Sequence, residues 1–311
     1  MLSAGAFLQE MLYLYSLALV GFLVRKNGVL NENTNQVLTQ LILYITLPAL
    51  ILFSLNISFS PALIQDFLWL LGMSAYVLLA AVFLAAWMRK RADLLEWQHG
   101  AYEGLIIFGN QGFIGYAVIF IVFGEQGIVY LTMFNLIYFV LIWTYGIFLF
   151  TKNTAAIEWR RLFFNPGIVS TGIGLVVLFS PFRWPDGIAK GLESVGNMTI
   201  PLSMMLIGSL IANVKYKDFL HLLKNRYIWK AALAKLLLIP LSLLPFVLVG
   251  APFFLLLIAV LVSGMPSAPT MSLYAQKFGG DRLFASLGVV VSSLLCIVTI
   301  PFLYLLVSLL Y

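Results

Sequence analysis

Charge is what this sequence has least of: only 10% of its 311 residues are Asp, Glu, Lys or Arg, against about 25% in an average soluble domain. Histidine occurs twice, at His99 and His221, and cysteine once, at Cys296. There is no His-Glu-x-x-His pair and no Gly-rich phosphate loop of the nucleotide-hydrolase type, so the usual metal-hydrolase and ATPase motifs are missing. No enzyme activity, no metal and no cofactor is expected. The loops between apolar runs are too short to hold a nucleotide domain, which excludes an ATP-driven pump. A lone cysteine makes no internal disulfide and leaves the redox compartment open. The first ten residues, MLSAGAFLQE, carry no basic side chain, so the first apolar run reads as a true span rather than a cleaved leader.

Apolar residues are what the chain has in excess. They make up 62% of it, and the mean hydropathy is +1.02. Water does not solvate that much apolar surface at this length, whereas a bilayer does. A crossing helix needs about 20 mostly apolar residues. Runs of that kind fall near 7–25, 36–56, 67–88, 98–123, 126–150, 165–182, 190–213, 227–249, 252–276 and 283–310. The expected fold class is therefore an all-α integral membrane protein with ten transmembrane helices.

Net charge is +6, yet the basic residues sit in short loops rather than on a patch suited to nucleic acid. Alternate loops hold Arg25 and Lys26; Arg89, Lys90 and Arg91; Lys152, Arg160 and Arg161; Lys215, Lys217, Lys224, Arg226 and Lys230; and Lys277 and Arg282. The opposite loops hold only Arg183 and Lys190, and Lys235 lies inside a span. Basic loops stay in the cytoplasm, so both termini are expected on the extracytoplasmic side. The compact loops suit a bacterial inner membrane. Two stretches, 156–164 and 216–224, mix basic and apolar residues and read as interfacial segments on the cytoplasmic leaflet.

Half a chain apart, features recur. Leu47-Pro48-Ala49-Leu50 and Ile200-Pro201-Leu202-Ser203 are offset by 153 residues, while Phe123-Gly124 and Phe278-Gly279, and Thr144 and Thr299, are offset by 155. Five spans per half force the second half to enter from the opposite face, giving a 5+5 inverted repeat. The repeats are read as 1–150 and 165–311, joined by a cytoplasmic linker at 151–164.

Spans four and nine are interrupted in matching places. The fourth reads Gly109-Asn110-Gln111-Gly112-Phe113-Ile114-Gly115, and the ninth Ser263-Gly264-Met265-Pro266-Ser267-Ala268-Pro269-Thr270. Proline removes a backbone donor and clashes with the preceding turn; glycine lets another group approach the backbone. Freed backbone groups are tolerated only against protein or a wet cavity. Matched breaks point to a midplane binding site, although small residues at three-residue spacing also serve helix packing. Candidate substrate contacts are Asn110, Gln111, Gly112, Pro266, Ser267 and Thr270. Half-helix N-termini suit a carboxylate; half-helix carbonyls suit a cation. Lys235, in the eighth span, is either a counter-charge or coupling group or a side chain that snorkels to the interface. Glu103 is either a coupling carboxylate or an interfacial residue.

In combination, Leu47-Pro48-Ala49-Leu50, the Gly109–Gly115 run, Asn165-Pro166-Gly167, Pro201-Leu202 through Gly208, Met265-Pro266-Ser267-Ala268 and Ala275-Gln276-Lys277 through Asp281 resemble the auxin efflux carrier family, and in particular its bacterial malate and malonate permeases. The resemblance covers nearly the whole chain. It implies crossing helices 4 and 9, a scaffold of helices 1, 2, 6 and 7 that forms a homodimer, and a transport domain of helices 3–5 and 8–10. It also implies a small organic anion bound at the crossover, with Asn110 in contact. Ala117 and Thr270 depart from the proline and asparagine that the family often has there. The expected function is a secondary transporter of organic anions such as carboxylates, working by alternating access. The alternatives are a cation/proton antiporter or sodium-coupled symporter of the same fold type, and a membrane sensor that keeps a transporter shell.

Overall fold

The computed structural model describes residues 4–57, 61–151, 164–212 and 225–311. The interfacial stretch 216–224, residues 156–163 of the other stretch, most of the 151–164 linker, and His221 lie outside the described residues. In chain order the helices are α1 (Ala4–Lys26), α2 (Glu32–Leu41), α3 (Leu47–Ser54), α4 (Pro61–Lys90), α5 (Glu96–Ile107), α6 (Tyr116–Trp143) and α7 (Tyr145–Thr151). Then come α8 (Pro166–Phe179), α9 (Asp186–Asn197), α10 (Thr199–Ala212), α11 (Arg226–Leu233), α12 (Phe253–Ser263), α13 (Thr270–Phe278) and α14 (Arg282–Leu309). Among the described residues no strand occurs, only an isolated antiparallel bridge between Gly109 and Ser267.

Seven helical stretches are long and apolar enough to cross a bilayer, from Gly5–Lys26 to Arg282–Leu309. Two further apolar helices, α8 and α12, are shorter. One stretch, Gln111–Thr151, has 41 residues and is interrupted at Gly124 (φ 64°, ψ −153°). The chain is thus a multi-pass membrane protein.

Local chemistry explains several boundaries. Asn31 caps α2 through the Thr34 N–H at 2.9 Å, and Asn165 caps α8 through the Gly167 N–H at 3.0 Å. Pro166 then fills the first helical position, where no donor is needed. Pro48 and Pro240 each follow a wide π-helical turn, Ile42–Thr46 and Ala234–Leu238. There Leu47 N–H reaches back to Ile42 O, and Ile239 N–H to Ala234 O. Widening the turn by one residue moves the carbonyl that a proline ring would otherwise strike.

The described residues divide into two compact units, each discontinuous in sequence. The first takes 1–68, 112–136 and 159–213. In it α1 lies along α10 so closely that a Cβ at Gly21 would overlap the Met205 carbonyl, and one at Gly208 the Ala18 carbonyl. Only glycine permits that approach of two backbones, and dispersion is what it gains in a bilayer. Buried Asn35 and Ser209 form a hydrogen bond of 2.8 Å between α2 and α10. Trp184 ties the α8–α9 turn to α3, donating from Nε1 to Leu52 O at 3.2 Å.

The second unit takes 69–111, 137–158 and 214–311. Its core is α5, α12, α13 and α14, all apolar on their inward faces. Gly279 (φ 78°) closes α13. Asp281 then caps α14 through the Phe284 N–H at 2.9 Å and accepts from Gln98 Nε2 at 2.9 Å. The Asp281 N–H donates to Trp97 O at 3.1 Å. This fastens the start of α5 to the α13–α14 turn and gives the Gly279-Gly280-Asp281 sequence a structural role.

Candidate functional site: two interrupted helices joined backbone to backbone

α5 ends at Ile107, and the chain runs extended until the π-helical turn Gln111–Gly115 begins. α12 ends at Ser263, and α13 starts at Thr270. Between these ends the two breaks pair in antiparallel fashion: Asn110 N–H donates to Pro266 O at 2.6 Å, and Ala268 N–H donates to Phe108 O at 2.9 Å. Backbone groups set loose by each break thus find partners in the other, as a bilayer requires.

Side chains take the groups that remain. Ser267 Oγ donates to Leu105 O at 2.7 Å, and Tyr138 Oη donates to Gly109 O at 2.6 Å. Ser267 N–H, which in an unbroken helix would serve Ser263 O, donates instead to Ser292 Oγ at 3.0 Å. That hydroxyl in turn donates to Gly288 O at 2.8 Å. Ser263 O receives the Lys235 amino group at 3.0 Å.

The anticipated site residues fall as follows. Asn110, Gln111, Pro266 and Ser267 are buried at the joined breaks, with Asn110 and Gln111 each 3% exposed. Gln111 Oε1 is buried without a hydrogen-bond partner among the described residues. Thr270 is the half-buried first residue of α13, a helix that no side chain caps. Gly112 belongs to the first unit and is partly exposed. Lys235 does not snorkel: it is 1% exposed and points onto the end of α12. Glu103 is buried and ion-paired with Arg89 across the α4–α5 turn. Glu103 and Lys235 therefore have different partners, and each anchors a different part of the second unit.

Two polar contributors to the joined breaks are not singled out by the sequence. Tyr138 sits in an aromatic run, and only its 2.6 Å contact with Gly109 O distinguishes it. Ser292 is half of a Ser-Ser pair in an apolar helix, a faint signal that was there to be read. In the first unit, Tyr116 Oη lies 3.2 Å from Thr132 Oγ1 and beside Asn135, a buried polar cluster along α6. No cluster of three or more His, Cys, Asp or Glu residues able to hold a metal occurs among the described residues.

A family model described as membrane transport protein matches this chain over residues 6–158 and 151–304. An uncharacterized transporter of Methanocaldococcus jannaschii is 26% identical to it over 201 residues, 62% of this chain. The chain spans 65% of the length of that relative. With the family match running over nearly its whole length, the protein belongs to the membrane transport protein family, that of the auxin efflux carriers.

Proposed function

We propose that the protein is a secondary carrier moving small organic anions, carboxylates first among them, by alternating access at the joined breaks. The reading takes ten spans in two inverted halves, 1–150 and 165–311. Gln111–Thr151 is divided at Gly124, its first part continuing α5 as span four. α8 serves as span six, and α12 with α13 as span nine. Spans 1, 2, 6 and 7 form the scaffold and the homodimer contact, while spans 3–5 and 8–10 carry the substrate. The protein sits in the inner membrane with both termini outside.

One observation carries the anion reading: which oxygens at the breaks are already engaged. Leu105 O, Phe108 O, Gly109 O, Ser263 O and Pro266 O all accept hydrogen bonds from the protein. Glu103 is held by Arg89. A cation would need such oxygens. What the breaks offer instead is the positive end of the α13 dipole, which no side chain caps and where Met271 and Ser272 N–H donate to Ala268 O and Pro269 O. Asn110 and Gln111 add amides that can donate to a carboxylate, and the Gln111 oxygen can accept from a substrate hydroxyl.

The test is uptake of labelled malate into proteoliposomes against unlabelled mono- and dicarboxylates. Saturable uptake suppressed by close analogues is expected. Uptake indistinguishable from empty liposomes, across the whole panel of anions, would contradict the reading.

A further inference from the structure

Lys235 stands in the π-helical turn Ala234–Leu238, which precedes Pro240. Its amino group is buried, and among the described residues no carboxylate lies within ion-pair distance of it. Its partner is a main-chain carbonyl, Ser263 O, at 3.0 Å. That carbonyl is available because of the break: Ser267 N–H, its helical partner, is committed to Ser292 Oγ. Ser263 is also the last residue of α12, where the negative end of the helix dipole gathers. Against the other side of the stem stands Gly109; a Cβ there would lie 3.0 Å from both Cε and Nζ of Lys235. The glycine of one break therefore makes room for the lysine that closes the other.

Open carbonyls at the C-terminal end of a half-helix are where transporters hold coupling cations. We propose that the Lys235 amino group is a tethered cation occupying this helix-end position from within the chain, so that the carrier works without sodium. A covalently attached ammonium group cannot leave during the transport cycle and so cannot couple a sodium gradient. It also holds the α12 end in the arrangement that a bound metal ion would otherwise impose. The inference concerns the helix end alone and stands or falls independently of which anion is carried.

The experiment compares purified wild-type protein with Lys235→Ala by thermal unfolding in choline, sodium and n-propylammonium chloride at equal ionic strength. Propylammonium replaces both the lost stem and its head. The wild type should unfold at one temperature in all three salts. Lys235→Ala should unfold several degrees lower in choline and recover, saturably, in propylammonium, with partial recovery in sodium. Saturable stabilisation of the wild type by sodium would overturn the proposal. So would a variant as stable as wild type in choline, or one lowered equally in every salt. If the alanine protein cannot be purified, Lys235→Met decides, since it keeps the stem and loses the charge. It should be destabilised in all three salts, and wild-type stability would overturn the proposal. In proteoliposomes, imposing a sodium gradient should leave the wild-type initial rate unchanged; stimulation of about twofold or more would also overturn it.

Discussion

At residues 264–269 two prolines, Pro266 and Pro269, withhold the N–H groups that would continue α12; at 108–110 there is no proline, and the interruption depends on Gly109. The first mechanism is subtractive: donors are missing, so the helix cannot propagate. The second is permissive: a residue without a side chain lets Lys235 and the Met265 carbonyl approach, and the backbone pairs sideways instead. At 264–269 the prolines act through donors that they themselves lack, whatever segment lies opposite. A glycine break exists only because the partner segment is there to receive it, so the two breaks should respond differently to substitution.

Gly109→Val should have the largest effect. Its Cβ would meet Lys235 at 3.0 Å and Met265 O at 3.3 Å, and overpacking of this kind costs about 1–3 kcal/mol. Thermal unfolding followed by tryptophan fluorescence should drop by several degrees; an unchanged midpoint would mean the close approach is dispensable. Ser292→Ala comes next, since it strands the buried Ser267 N–H at about 1–3 kcal/mol. Ser292→Thr, which keeps the hydroxyl, should recover most of that loss. Tyr138→Phe should cost about 1 kcal/mol by removing the donor to Gly109 O, because a carbonyl short of one partner is tolerated better than an orphaned N–H. The smallest effect is expected for Pro266→Ala, under about 1 kcal/mol. Pro269 still interrupts the helix, and Ser267 keeps both its hydrogen bonds. A loss there larger than at Gly109 would reverse the comparison.

The breaks were legible in the sequence because glycine and proline act locally, and the membrane character because hydropathy sums over long runs. What completes the breaks was not legible. Ser292 and Tyr138 reach them from 25 and 29 residues away, and a hydroxyl in an apolar helix gives no sign of which backbone group it will serve. For Lys235, snorkelling and inward burial need the same long stem, so composition cannot separate them; the π-helical turn ahead of Pro240 and the orphaned Ser263 carbonyl decide it. Glu103 reads as either a coupling carboxylate or an interfacial residue because its ion-pair partner, Arg89, lies across the basic loop in the preceding helix. The widened turns at Ile42–Thr46 and Ala234–Leu238 have an intelligible cause in Pro48 and Pro240, but proline alone does not say whether a helix will kink, stop or widen.

The joined breaks are proposed to hold the transported anion. The most direct test is the initial rate of labelled malate uptake by Asn110→Ala beside wild-type protein, with both shown by thermal unfolding to be folded. A folded variant whose rate falls at least tenfold, or whose half-saturation rises by as much, is the predicted result. Rate and half-saturation equal to wild type would place the substrate elsewhere and contradict the account.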